Sequence, residues 1–315
     1  MTPGTGGTRL RVAVLTFRRP DDLSRVLPAL VEQAADVADL VGDCRVLVVD
    51  NDPAAGAERA VRSWADRGVD YVHEPEPGIA AARNRALASS AADDLLVFVD
   101  DDEEPHAGWL RALLESRRRT GAAAVAGAVV SAYDGEPTPW LAAGDFFRRR
   151  QLPEDTPITV AATNNLLLDM HVVRRLGLRF DSAFGISGGS DTLFTRRLTD
   201  AGELMVWSAA AVVTDWVPVG RLTRDWVLRR ALRLGNSTSR VDVVLAGGPA
   251  ARLGVRLRAT ARGAVRLLGG CARWAVGVAT GSLRHRARGL RTAARGLGMT
   301  TGAWGHVYQE YRRRS

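Results

Sequence analysis

The chain predicts an α/β fold: a mostly parallel sheet flanked by helices, followed by a basic helical extension. Three observations carry this. Apolar, β-branched runs alternate with helix-patterned segments, acidic residues gather at the carboxyl ends of those runs, and the charge changes sharply near Asp242. Continuous apolar strands joined through helices argue for a parallel sheet covered on both faces.

The elements follow in order. LRVAVLTF (10–17) is the first strand. A helix follows, capped by Asp21 or Asp22 and running to Val41, with Leu23, Val26, Leu27, Leu30 and Val31 on one face. CRVLVVD (44–50) is a second buried strand, NDPAAG a turn and Glu58 to Arg67 a helix. DYVHEP (70–75) makes a third strand, Ile79 to Ser90 a helix entered through Pro77-Gly78, DLLVFVD (94–100) a fourth strand, and Gly108 to Arg119 another helix. From 121 to 215 the pattern is mixed, with a Pro/Trp loop at 137–140 and a Gly-rich turn, SGGSD, that opens a helix.

Composition is that of a globular protein, 46% hydrophobic and 25% charged over 315 residues. No run of apolar residues is long enough to span a bilayer, and the N-terminus shows no cleavage-site pattern. Cys44 and Cys271 stand far apart without metal-ligand spacing, which fits a reducing, cytoplasmic setting. Every one of the 43 basic residues is Arg, so placement says more than number. From Asp242 onward 14 arginines face two acids, a net of +12 against −4 for the first 241 residues. Arg252, Arg256, Arg258, Arg262 and Arg266, then Arg284, Arg288, Arg291 and Arg295, recur at helical spacing, one polar stripe on each of two helices. That tail reads as a solvated helix face or as a surface for anionic membrane, which would place the chain peripherally on the inner face of the cell membrane. Without aromatic interleaving, nucleic acid is not expected as a partner.

In such sheets ligands bind beyond the carboxyl ends of the strands. Thr16, Asp50 and Asp100 to Asp102 sit there. FVDDDEEP (98–105) sets five carboxylates in a row, and like charges about 4 Å apart repel by roughly 1 kcal/mol in water and about 4 kcal/mol near a protein surface. Mg²⁺ or Mn²⁺ prefers such hard oxygens and keeps positions for water and phosphate. The alternative is a solvated acidic loop. Asp50 suits either a turn or a contact to a base or ribose. Arg83 and Arg85 lie in a helix that starts at the same edge, and Arg83 is favoured as a phosphate ligand. Asp191, past Gly188 and Gly189, suits a general base or an N-cap.

Taken together, RVAVLTFRRP, VLVVDNDP, YVHEPEPGIAAARNRAL, LLVFVDDDEEPHAGWL, PW, AATNNLLL, RFDSAFGISGGSD and WVPVGRLTRDWVLRRALRLGNS resemble, in continuous order, the family 2 glycosyltransferases, nearest the succinoglycan-biosynthesis type. The resemblance covers roughly residues 9 to 240 and leaves 241–315 as an Arg-rich amphipathic tail. It implies a GT-A fold, a nucleotide-diphosphate-sugar donor, a divalent cation (Mn²⁺ or Mg²⁺) and inversion during transfer to a hydroxyl acceptor. The DxD motif falls on Asp100-Asp101-Asp102, with Asp102 as metal ligand and Asp100 as ribose or metal contact. Thr16, Phe17 and Asp50 match positions that hold the donor, and Asp101 and Arg83 line the same site. Asp191 matches the base, while Gly188, Gly189 and Trp140 fall on the acceptor side. Arg229 and Arg230 resemble a downstream basic motif that reaches the diphosphate, Arg230 foremost. The chain departs from the pattern at Ser190 and Leu193, where acids are usual, and at Asp215-Trp216, where an acidic pair is usual. A sugar-nucleotide binder without turnover is therefore an alternative. So is a sugar-phosphate nucleotidyltransferase, suggested by GTGGTRL (4–10), although that loop precedes the first strand and so lies at the wrong edge.

Overall fold

Side-chain alternation along the first strand explains the layering. In the computed structural model, which describes residues 7–185 and 187–307, β1 (Arg9–Thr16) sends Leu10, Val12 and Val14 to one face and Ala13 and Leu15 to the other. The first face is covered by α1 (Pro20–Asp36), through Leu23, Val26, Leu27 and Leu30, and by α4 (Trp109–Thr120). The second is covered by α3 (Ile79–Ser89), α6 (Met170–Arg175) and the later turns of α7 (Ser190–Asp200). β2 (Asp43–Asp50), β3 (Val69–His73) and β4 (Leu95–Asp100) run parallel to β1, with α2 (Glu58–Arg62) between β2 and β3.

The sheet is mostly parallel, as expected. Beyond β4 one reversed strand, β8 (Asn165–Asp169), lies antiparallel to both β4 and β6 (Ala124–Tyr133); β6 neighbours β9 (Met205–Val217), on which the short strands β5 (Glu103–Pro105) and β7 (Thr156–Pro157) lie antiparallel. This half comes from the stretch whose sequence pattern is itself mixed. Helix α1 differs from expectation. It begins at Pro20, whose fixed φ suits the first helical position, leaves Asp21 and Asp22 in the first turn, and ends at Asp36 instead of Val41. The short chain from Val37 to Val41 turns and buries both valines.

The described chain divides into two compact units. One runs up to Val130 and includes Arg149–Ser182 and Phe194–Asp215; the other holds Ser131–Arg148, Ala183–Leu193 and the chain from Trp216 onward. In the second unit, α5 (Pro139–Gly144) lies against α10 (Leu283–Ala303), and α10 packs against α8 (Arg224–Leu245) and α9 (Pro249–Ala279). The helix contacts are made by glycines. A methyl group on Gly270 would fall 2.5 Å from Ala293 N, and one on Gly289 2.6 Å from Trp274 N. Gly263, Gly270 and Gly277 recur every seven residues along the buried side of α9. The arginine stripe expected on α10 is not a solvated face: Arg288 Nε donates to Gly144 O at 3.2 Å, and Arg291 stands over the Phe146 ring at 5.7 Å.

Of the GTGGTRL segment, Gly4 to Gly6 lie outside the described residues. Gly7 meets Gly42, and Thr8 O accepts from Gly42 N at 2.9 Å, at the amino edge of β1. Among the described residues no helix is long and apolar enough to cross a membrane.

Candidate active site

Strand register gathers the predicted acids at one edge. Thr16 is opposite Asp50, and Leu15 opposite Asp100, so the ends of β1, β2 and β4 stand side by side. Just beyond them β5 returns, with Glu103 opposite Asp215 of β9.

The electrostatics of this edge are lopsided. Burial pushes the Asp100 carboxyl up to about 7; Asp102 adds repulsion and Arg83 pulls the other way. Burial raises Asp101 to about 6 against the pull of Arg19. Glu103 is raised well above its usual range by burial and then by Asp100. Arg19 Nη1 donates to Asp101 Oδ1 at 3.1 Å and to Asp102 Oδ2 at 2.8 Å. Arg149 pairs with Asp215, and Asn164 donates to Glu103. Five carboxyl groups (Asp100, Asp101, Asp102, Glu103 and Asp215) therefore crowd one edge, with the guanidinium groups of Arg19, Arg83 and Arg149 acting on them.

The donor set suits a hard divalent cation, being all oxygen. Among the described residues, Asp101 Oδ2 and Glu103 Oε2 are buried without a hydrogen-bond partner, which is costly unless something arrives to use them. The described residues contain no group of three or more His, Cys, Asp or Glu already drawn around a common point. Arg19 instead spans Asp101 and Asp102.

Asp50 is fully buried. Its Oδ1 accepts from Asp52 N at 2.9 Å, and its Oδ2 accepts from Ala57 N at 2.8 Å and Tyr71 OH at 3.1 Å, so it builds the turn after β2. Asn51 next to it ties down the loop before α3: its Nδ2 donates to Glu74 O at 2.8 Å and Glu76 O at 2.6 Å, and Gly78 N donates to its Oδ1 at 3.0 Å. Gly78, at φ 119°, takes a backbone conformation that an L side chain resists, and α3 starts there. Arg83 on α3 is half-buried over the Phe180 ring at 5.5 Å, whereas Arg85 is exposed. Asn84 fixes Phe180 by a two-way bond, accepting from Phe180 N at 2.9 Å and donating to Phe180 O at 2.8 Å. Phe17 is part-exposed beside Arg18, whose guanidinium lies 5.2 Å from the ring.

The remaining predicted residues belong to the second unit. Asp191 is in the first turn of α7, and its Oδ1 accepts from Thr192 N at 2.8 Å. Gly188 and Gly189 both have positive φ, and a methyl on Gly189 would crowd Ser237 Cβ at 3.1 Å. Ser190 is buried, and Leu193 joins Phe184 and Val241 in a small apolar cluster, so the positions where acids are usual are here built into packing. Trp140 lies 5.0 Å from Phe146, with Arg224 over it at 5.8 Å; Arg230 stands over Trp226 at 5.0 Å, and Arg229 pairs with Asp225 at 2.9 Å.

Arg19, Glu103, Asn51, Asn84, Asn164 and Asn165 were not singled out by sequence reasoning. Asn165 joins three segments, accepting from Trp109 Nε1 at 2.9 Å and donating to Ala128 O at 3.0 Å and Ala211 O at 2.9 Å. Consecutive asparagines inside an apolar run, as in TNNLLL, are the signal that could have found it, since a buried amide needs partners.

Comparison with known proteins bears on family and fold. The family described as "Glycosyl transferase family 2" matches residues 11–177. The succinoglycan biosynthesis protein ExoM of Rhizobium meliloti (strain 1021) is 33% identical over 233 residues, covering 73% of this chain and 74% of that protein. Among solved structures, the mannosyltransferase PcManGT from Pyrobaculum calidifontis, in complex with GDP-Man and Mn²⁺, superposes with a TM-score of 0.61 at 21% identity over 95% of this chain and 88% of its own. S. aureus TarS 1-349 gives 0.54 at 12% identity, with 96% and 93% covered, and the chain spans 42% of a longer TarS structure. These likenesses carry the GT-A fold. The chain belongs to glycosyl transferase family 2.

Proposed function

We propose that the chain is an inverting, metal-dependent glycosyltransferase, moving a sugar from a nucleotide-diphosphate donor to an acceptor hydroxyl. The observation that carries this is the crowding of the Asp100, Asp101, Asp102 and Glu103 carboxyl groups at the carboxyl edge of the sheet, where their mutual repulsion favours a cation. Asp102 with Asp100 would hold Mn²⁺ or Mg²⁺, and such a cation, when bound, neutralises charge on a departing diphosphate.

The chain's own residues do the rest. Thr16, Phe17, Asp50 and Asp101 shape the donor's nucleoside end, Asp50 by holding its turn. Arg83 and Arg230 are assigned to the diphosphate, where a planar fork of donors suits paired oxygens. Trp140, Gly188 and Gly189 are assigned to the acceptor. Asp191 takes the hydroxyl proton as that oxygen bonds to the anomeric carbon and the carbon–oxygen bond to the diphosphate breaks.

The test is a thermal-shift screen of nucleotide sugars with Mn²⁺ and with chelator, followed by assay of nucleoside diphosphate release. The matching donor stabilises by about 2.7 kcal/mol at a hundredfold excess over its dissociation constant, and only with metal. Asp191→Asn keeps that stabilisation while transfer falls about 10²–10⁴-fold. Equal stabilisation in chelator refutes the metal role. The buried Leu193 and Ser190 favour one second reading, a donor binder without turnover. Donor stabilisation with no diphosphate release across a panel of acceptors would select it.

A further inference from the structure

Helix α9 is built inside out. Its buried side holds only small residues, Ala259, Gly263, Gly270 and Gly277, seated against α10. Most of its large apolar side chains point away, Val255 and Leu267 being half-buried: Leu253 is 51% exposed, Leu257 55%, Val265 71%, Leu268 69%, Val276 50% and Val278 51%. At 3.6 residues per turn these six span an arc of about 160°, roughly opposite the glycine seam. A helix whose outer face was solvated would carry polar residues there.

Charge borders the apolar arc. Arg258, Arg262, Arg273 and Arg266 follow one another along one margin, and Trp274, 40% exposed, stands on the other with Arg256. The whole helix has six arginines and no acid, and no acid occurs between Asp242 and Glu310. The glycine seam explains the geometry. Small residues let α9 and α10 approach closely, and the seam they form leaves most of the leucines and valines of α9 on the outer side.

We propose that this face of α9 docks on an anionic lipid bilayer, lying along the surface with its apolar arc in the headgroup–acyl boundary and its arginines among the phosphates. Such placement matches a helix of 31 residues that is too rich in arginine to span. A second copy of the chain is a poorer occupant, since two arginine-bordered faces repel. Nucleic acid would leave the apolar arc without a partner. The proposal is independent of the transfer reaction.

The test is flotation of the full chain with vesicles of phosphatidylcholine alone or mixed with phosphatidylglycerol, at low and high salt. The exposed Cys271 lies within the apolar arc, so a polarity-sensitive dye on it reports insertion. We expect binding to the anionic vesicles, weaker at high salt, with a blue shift of the dye. Leu257→Asp, Val265→Asp and Leu268→Asp combined lower binding about a hundredfold, with helicity and Tm unchanged because all three side chains already face solvent. Arg258→Gln and Arg262→Gln each weaken it about fivefold. The proposal is overturned if the chain stays with neither vesicle, if the triple variant floats as well as the parent, or if light scattering shows a dimer that the triple variant dissolves while vesicles bind neither protein.

Discussion

If Asp102 holds the cation as proposed, Arg19 stands where that ion would need to be, and truncating Arg19 separates the two roles of the acidic edge. Its guanidinium lies 3.1 Å from Asp101 Oδ1 and 2.8 Å from Asp102 Oδ2. At an effective dielectric of about 20, each such contact is worth about 5 kcal/mol of gross attraction. The Arg19 side chain is 40% exposed, so solvent screens much of that. Breaking a fully buried pair costs about 3–5 kcal/mol, and about 2 kcal/mol is the discounted figure for Arg19→Ala. In chelator the variant should therefore melt about 4 °C below the parent. With saturating Mn²⁺ the gap should close, because the parent gives up the Arg19–Asp102 contact on binding metal and the variant has none to give up. Differential scanning fluorimetry with and without Mn²⁺ measures both. A gap of the same size in the two conditions, or none in chelator, would show that Arg19 and the cation do not compete.

Three further outcomes are expected. Gly270→Ala sets a methyl 2.5 Å from Ala293 N and 2.7 Å from Gly289 O, so the α9–α10 pair should lose about 1–3 kcal/mol, visible as an earlier thermal transition. The Asp70 carboxyl is held below its usual value chiefly by its bond from Arg45, with Arg11 also facing it. A depressed carboxylate stabilises above its unfolded value of 3.8 and loses that contribution as pH falls through its folded value, so the Tm gap between parent and Asp70→Asn should shrink in acid and persist at neutral pH. Burial raises the Cys44 thiol to about 12, so maleimide at mildly alkaline pH should label Cys271 and spare Cys44 until the chain is denatured.

The acidic edge is legible because the signal is local. Asp100, Asp101 and Asp102 follow directly on a buried strand, and parallel register then brings Thr16 and Asp50 alongside. Arg19 is not legible in the same way: 82 residues separate it from Asp101, and nothing around FRRP says which of its arginines turns inward. Glu103 looks like one more acid in a run until β5 pairs with β9 and sets Asp215 across from it. Turn chemistry gives Asp50 two plausible uses, and its three hydrogen bonds to Asp52, Ala57 and Tyr71 show that holding the turn is one of them. The arginine spacing in the tail predicts two helices and the exposed arginines of α9, but it does not foresee that Arg288 and Arg291 of α10 meet Gly144 and Phe146, or that the repeat of Gly263, Gly270 and Gly277 faces α9's leucines and valines outward.

By itself, then, the sequence determined the α/β class, the family and the strand-end acids. Each of these depends on periodicity or on neighbours a few residues apart, where backbone geometry leaves little choice. Tertiary structure alone decided which cations meet those acids, which carboxyl groups are buried, and which side of α9 looks outward. Those outcomes are set by register and close packing between segments distant in the chain, and a short window of sequence carries no record of either.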